Sequence, residues 1–193
     1  MNFDHFRYRL RATLFEWLHQ PDRALEAWIG VHRADPQDVV APLGIAWIHA
    51  QKKRWGEAAE WFERAIAIRP DHADTWFNLG YAREQQGHQE AALTALAHAV
   101  ELNPKHDRAW YGIGMIHSHR GDPLAAAENL RHAADLQPMN GAAWYALGMA
   151  HYHANQPDQV AAVFAHCLTH DGPTAKRLAQ DTQRPDLVHQ LPG

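Results

Sequence analysis

The sequence predicts an all-α fold, a superhelical solenoid of five tandem helix-turn-helix repeats with a C-terminal capping helix, and three observations carry that expectation. Pro36, Pro70, Pro104 and Pro138 lie 34 positions apart, as do Trp76, Trp110 and Trp144, then Gly80, Gly114 and Gly148, and also Ala24, Ala58, Ala92 and Ala126. Self-similarity at a fixed period of this size marks stacked repeats. Within one period, apolar residues recur at helical spacing in two separate stretches, and a proline closes the unit because its ring cannot continue a helix.

Laid out at this period without insertion, the chain gives five copies, residues 5–38, 39–72, 73–106, 107–140 and 141–174, with 175–193 left over. The first copy departs most, with Tyr8 and Arg11 where later copies place tryptophan and leucine; its second helix begins at Gln20-Pro21. In the second, Ala58 and Phe62 mark the inner stripe of the second helix. The third shows the pattern most fully. Trp76, Leu79, Gly80 and Arg83 share one helical face, Gly87 ends that helix, and Ala92, Leu96, Ala99 and Val100 form the stripe of the next. The fourth and fifth copies start their second helices at Asp122-Pro123 and Gln156-Pro157, where a first-turn proline costs little since its missing N–H would be unpaired anyway. The fifth carries Gly172 in place of the closing proline, and Thr174 to Gln183, with Leu178 and Ala179 inward, reads as a capping helix before a short tail.

The core follows from the same register. Gly80, Gly114 and Gly148 are expected to face Ala92, Ala126 and Val160 across each hairpin, letting helix axes approach to about 8 Å. Trp28, Phe62, Leu96, Leu130 and Phe164 share one second-helix site, and Val31, Ala65, Ala99, Ala133 and Cys167 the next turn, so Cys167 reads as a small core residue.

The pattern W-x-x-L-G, then a small residue, an aromatic or leucine, another alanine and a final proline resembles the tetratricopeptide repeat family over residues 5–174. The resemblance implies a right-handed superhelix whose first helices line a concave face that binds protein or peptide. By that resemblance, sites two, five, six, nine, twelve and thirteen of each copy face the groove. In the first half these are Leu43, Trp47, Phe77, Asn78 and Tyr81. In the second they are Arg108, Tyr111, Met115, His119, Tyr145, Met149, Tyr152 and His153. Such a lining is aromatic and nearly uncharged; tyrosine and methionine supply apolar area, polar tips and adaptable shape. Family members that grip acidic chaperone tails carry lysine or arginine at site five, where this chain has Leu43, Phe77, Tyr111 and Tyr145, with only Arg108 basic nearby. The expected ligand is therefore a protein or peptide segment with apolar anchors.

Composition removes other classes. The chain has 193 residues, 18 Lys plus Arg against 22 Asp plus Glu, a balance that argues against nucleic acid as partner. At 46% apolar it is not disordered, and a lone cysteine excludes an internal disulfide and suits a reducing compartment. No stretch approaches the roughly 20 apolar residues of a membrane span, and the start MNFDHFRYRLRATLF lacks the apolar core of a secretory signal, so a cytoplasmic protein without direct membrane insertion is expected. No phosphate-cradling loop, nucleophile elbow or CxxC is present, so neither catalysis nor a cofactor is expected.

The 16 histidines invite a metal reading through the pairs His117/His119 and His151/His153. Residues two apart on a helix point about 200° apart, so neither pair can chelate one ion. His49, His117 and His151 are better read as half-buried packing rings with one hydrogen bond, leaving only His119, His153 and the His166/His170 pair for a ligand set. No metal site is expected. The leading function is a non-catalytic adaptor or assembly factor; a bacterial secretion or assembly chaperone and histidine-mediated metal binding are the alternatives. Self-association is a further expectation: Phe3, Phe6, Leu10, Leu14, Trp17 and Leu18 make the first helix apolar along one side, flanked by Arg7, Arg9 and Arg11, so it can enter the concave face of another copy. The simpler expectation packs that side on the second repeat.

Overall fold

The computed structural model describes residues 3–191, and these form twelve helices with no strand among them. They divide into two compact units. In the first, α1 (Phe3–Trp17) pairs with α2 (Pro21–Ala34), α3 (Val40–Gln51) with α4 (Trp55–Ile68), and α5 (Ala73–Gln85) with α6 (Gln89–Leu102); α2 packs on α3 and α4 on α5. In the second, α7 (Asp107–His119) pairs with α8 (Pro123–Leu136) and α9 (Gly141–His153) with α10 (Pro157–His170). There α8 packs on α9, and α11 (Gly172–Asp181) packs on both α9 and α10 before the short α12 (Pro185–Val188).

The turns repeat as strictly as the helices. His19, Lys53 and Asn155, with φ between 53° and 56°, and Gly87 and Gly121, at 81° and 74°, fall at one register position and reverse the chain between the helices of each hairpin. Pro21, Pro123 and Pro157 open their helices as the sequence indicates, and Pro185 does the same for α12. Side chains at a second shared position satisfy the free amides of the first helices: Asp38 Oδ1 accepts from Val40 and Ala41 at 2.8 and 2.9 Å, His106 Nδ1 from Ala109 at 3.3 Å, and Asn140 Oδ1 from Ala143 at 3.4 Å.

Trp28, Phe62, Leu96, Leu130 and Phe164 are all buried, as are Val31, Ala65, Ala99, Ala133 and Cys167. Burial pushes the Cys167 thiol up to about 11, which keeps it protonated and unreactive. A Cβ at Gly80 or Gly114 would stand 2.7 or 2.6 Å from Cγ of Leu96 or Leu130 and 3.2 Å from the carbonyl of Ala92 or Ala126, so glycine is what permits the close approach. Gly148 differs from expectation. Its nearest neighbour is Leu178 of α11, at 2.7 Å from such a Cβ, rather than Val160, because the cap reaches into the fifth hairpin.

The three ruler tryptophans form a repeated unit. Each indole N–H donates to the proline carbonyl six residues earlier, Trp76 to Pro70 at 2.7 Å, Trp110 to Pro104 at 2.9 Å and Trp144 to Pro138 at 3.0 Å. Each ring also lies against a histidine of the following helix, His98 and His132 at 4.5 Å and His166 at 3.7 Å between centroids. Apolar area and a polar tip are thus both used at one site.

Two expectations at the chain ends need correction. The cap begins at Gly172, where Asp171 accepts from the Thr174 amide at 3.2 Å, and it continues into a second helix, α12, that buries Leu187. The apolar side of α1 does not pack on the second repeat. Tyr8, Ala12 and Phe15 turn toward the core instead, and Phe3, Phe6, Leu10, Leu14, Trp17 and Leu18 remain exposed.

Candidate functional site

In the first unit, α3 and α5 carry Trp47 and Tyr81 at the middle of their lengths, and α4 begins with Trp55 between them in sequence. The Trp55 and Tyr81 rings meet edge to face, centroids 5.6 Å apart and planes at 84°. With Trp47, Ala50, Gln51, Phe62, Asn78 and Ala82 they line a cleft of 170 Å³. No charged side chain lines it. Trp47 is 55% exposed and Tyr81 44%, so both rings keep a face to water while a wall of alanines and Phe62 forms the floor. Trp47 also borders a second cleft of 470 Å³ shared with Glu16, His19, Gln20, Pro21, Ala24, Ile48 and Gln51. Leu43 is half-buried against the cluster around Phe62, and Phe77 is half-buried as well; neither lines the cleft.

In the second unit, Tyr111, Met115, Tyr145 and Met149 are half-buried against the unit's core, and Arg108, His119, Tyr152 and His153 are exposed. Tyr145 is engaged by the cap. Its hydroxyl donates to Asp181 at 2.6 Å, and the Arg177 guanidinium sits 4.1 Å over its ring. Burial and the Asp181 carboxylate together push the Tyr145 phenol above its ordinary pKa, so it stays a hydrogen-bond donor. The chain's own C-terminal helix therefore occupies part of what the sequence assigns to a ligand.

Trp55 is the cleft residue that the sequence reading passes over. Its register position holds Pro21, Gln89, Pro123 and Pro157 in the other copies, and a tryptophan among helix-starting residues was the available signal.

The histidines are mostly structural. His151 is buried with Nδ1 2.7 Å from Gln156 Oε1 and Nε2 3.4 Å from Arg131, and since arginine only donates, Nε2 is the unprotonated acceptor and Nδ1–H donates to Gln156. Burial, reinforced by Arg131, holds its pKa below the ordinary histidine value despite the Gln156 bond. His49 is half-buried and lowered likewise by burial, and its buried Nδ1 makes no hydrogen bond. His117 lies 3.8 Å from Asp122. His166 and His170 stack on each other at 4.4 Å, with His166 Nε2 near the Pro138 carbonyl and His170 Nδ1 near the His166 carbonyl, an arrangement of packing rings rather than convergent ligands. Among the described residues, no three His, Cys, Asp or Glu groups come together as a metal site would require, and no helix is long and apolar enough to cross a membrane.

Two tetratricopeptide repeat family profiles match the chain, one over residues 45–110 and the other over 10–73 and 119–166. No curated protein matches it. Among solved structures, a crystal structure of MamA is similar with 20% identity and a TM-score of 0.80, covering 95% of this chain and 96% of that one. YrrB, described as a TPR protein with an unusual peptide-binding site, is similar with 21% identity and a TM-score of 0.71, covering 93% and 87%. PilF of Pseudomonas aeruginosa is similar with 16% identity and a TM-score of 0.73, covering 97% and 88%. At such identities the likeness speaks to fold.

Proposed function

We infer a function from one premise, that the chain belongs to the tetratricopeptide repeat family. The fold is that of a protein-interaction module, and the reading it supports is a non-catalytic adaptor or assembly factor that holds a segment of a partner protein. The observation that carries this is the aromatic cleft of Trp47, Trp55 and Tyr81, which leaves three rings part-exposed around an uncharged hollow. A hollow of about 150 Å³ with apolar walls holds a benzene, so 170 Å³ fits one aromatic or leucine-sized anchor. Asn78 in the lining supplies a hydrogen-bonding group for the backbone beside that anchor. A peptide-type ligand is also what YrrB, similar in fold, is described as binding.

In the second unit, taken by itself, Tyr111, Met115, Met149 and Tyr152 are the residues proposed to offer contacts to a partner segment, with Arg108, His119 and His153 as polar groups beside them. Two or three anchors at about 1.5–3 kcal/mol each support micromolar binding once association costs are met. The test follows from the geometry. Trp47→Ala combined with Tyr81→Glu, compared with the unaltered chain in capture of a partner, abolishes capture and leaves helical circular dichroism unchanged; retained capture overturns the reading. Tyr145 is a poor choice for this purpose, since a glutamate there would face Asp181 and disturb the cap rather than the ligand.

A further inference from the structure

We propose that the outward face of α1 is an isologous dimer interface, covered by the same face of a second copy of this chain. At 100° per residue, Phe3, Phe6, Leu10, Leu14 and Trp17 fall within about 80° of arc, opposite the buried Ala12. Both sides of α1 are therefore apolar, a pattern that belongs to a helix with neighbours on two sides. Two sites of the stripe are covered in later copies. At the position of Leu14, Ile48, Ala82 and Ala150 of later copies are at most 3% exposed, whereas Leu14 and its stripe, with Leu18 just beyond the helix, are between 43% and 76% exposed. At the position of Leu10, Gly44 lies directly against the Trp28 ring of α2, the helix before it. The sites of Phe3 and Trp17 are exposed and mostly polar in later copies, with Gln37 and Lys105 at the first and Gln51 and His119 at the second, so an apolar stripe of this length is particular to α1.

The occupant is fixed by what this chain can offer. The exposed parts of the six side chains amount to about two full aromatic rings and one and a half leucines, on the order of 650 Å². Pairing two such faces buries about 1,300 Å², within the range of specific dimers and above crystal-contact size. Of the large apolar side chains exposed among the described residues, six lie on this one face; Trp47 and Tyr81 border the cleft described above, which at 170 Å³ admits one anchor rather than a whole stripe, and others such as Leu102, Leu124, Met139 and Val188 are scattered singly. The C-terminal cap cannot complement it, because Lys176, Arg177, Gln180 and Asp181 make the outer side of α11 polar. The matching apolar face on a second copy is then α1 itself, and a two-fold pairing closes without further growth. Leu10, at the midpoint of the stripe, meets Leu10 of the second copy in either helix direction.

Sedimentation equilibrium of the full chain between about 1 and 100 µM tests this, with circular dichroism as the folding control. The expected result is a species of twice the 21.9 kDa chain mass that does not grow further. Leu10→Glu is expected to weaken the dimer more than about tenfold while leaving helicity unchanged, and Trp47→Ala to leave it intact. A Leu10→Cys variant, whose other thiol is buried at Cys167, is expected to form a disulfide-linked dimer under mild oxidation. A monomer throughout, assemblies that lengthen with concentration, or a dimer lost in Trp47→Ala but kept in Leu10→Glu would each overturn the proposal.

Discussion

The two ends of the chain finish the same repeat in opposite ways. At the C-terminal end, α11 lays Leu178 and Ala179 fully buried against the last hairpin, with Leu178 filling the space that Gly148 leaves. Its outer side is Lys176, Arg177, Gln180 and Asp181, all exposed. At the N-terminal end, α1 buries Ala12 and turns phenylalanine, leucine and tryptophan to water. A helical repeat has an apolar surface on each side, so an end is half an interface. One end of this chain is sealed by a polar-backed helix, and the other keeps large apolar side chains in water.

The largest way to break that comparison is Leu178→Ala. The residue is fully buried and packs on a glycine that offers no side chain to collapse into the space, so the loss is about 2–5 kcal/mol, or a fall in Tm of several degrees, measured by thermal and urea unfolding. Should the variant melt like the unaltered chain, α11 would not be a structural cap.

How far the sequence foretells this structure depends on whether a residue's role is set by its repeat register. The hairpins, the buried second-helix sites and the first-turn prolines at Pro21, Pro123 and Pro157 all follow from one 34-residue ruler, because packing inside a repeat is local. His98, His132 and His166 obey that ruler too, and their packing against the tryptophans was legible once the histidines were aligned rather than counted. The ends were not legible in this way. Gly148 looks like Gly80 and Gly114, yet its neighbour is the cap, and nothing in the register says that α11 begins at Gly172. Nor does the register show Tyr145 taken by Asp181, since that contact joins residues 36 positions apart outside the period. The cleft was half legible: Trp47, Asn78 and Tyr81 follow from their sites, whereas Trp55 enters from a helix start assigned to the turn.

The next test sharpens the comparison by separating polar from apolar devices. Both ends use an aspartate. Asp38 holds the Val40 and Ala41 amides and also takes His5 Nε2 at 2.8 Å and Arg9 Nη1 at 3.3 Å, tying α1 to α3. Although burial raises it, these bonds together hold its carboxyl below the usual range. Asp171 holds the Thr174 amide at 3.2 Å and hydroxyl at 2.7 Å. Asp38→Ala and Asp171→Ala should each cost about 1 kcal/mol by urea unfolding. Equal losses at the two ends would show that they differ in apolar sealing and not in capping; a silent Asp38→Ala would show that α1 is not held by this link.

A smaller effect is expected from acid. His49, in the first unit, and His151, in the second, both have pKa values lowered by burial, so the unfolded chain binds protons more readily than the folded one. Stability from these groups is complete above the unfolded value near 6.5 and is lost as pH falls below it toward their folded values. Tm should decline between pH 7.5 and 5.5, and His151→Gln should flatten part of the slope. An unchanged slope would mean that the ring in the second unit is not what titrates.

The smallest expected change is the most telling about the N-terminal end. Leu10→Gln removes apolar surface that faces water in a single copy, and glutamine is nearly as good a helix former as leucine. At a concentration low enough to hold the chain as one copy, its unfolding free energy should stay within about 0.5 kcal/mol of the unaltered chain. The same substitution at a sealed position would resemble Leu178→Ala. If Leu10→Gln instead destabilises the isolated chain by as much as that variant, α1 is covered by the chain itself, and the contrast between a sealed and an open end disappears.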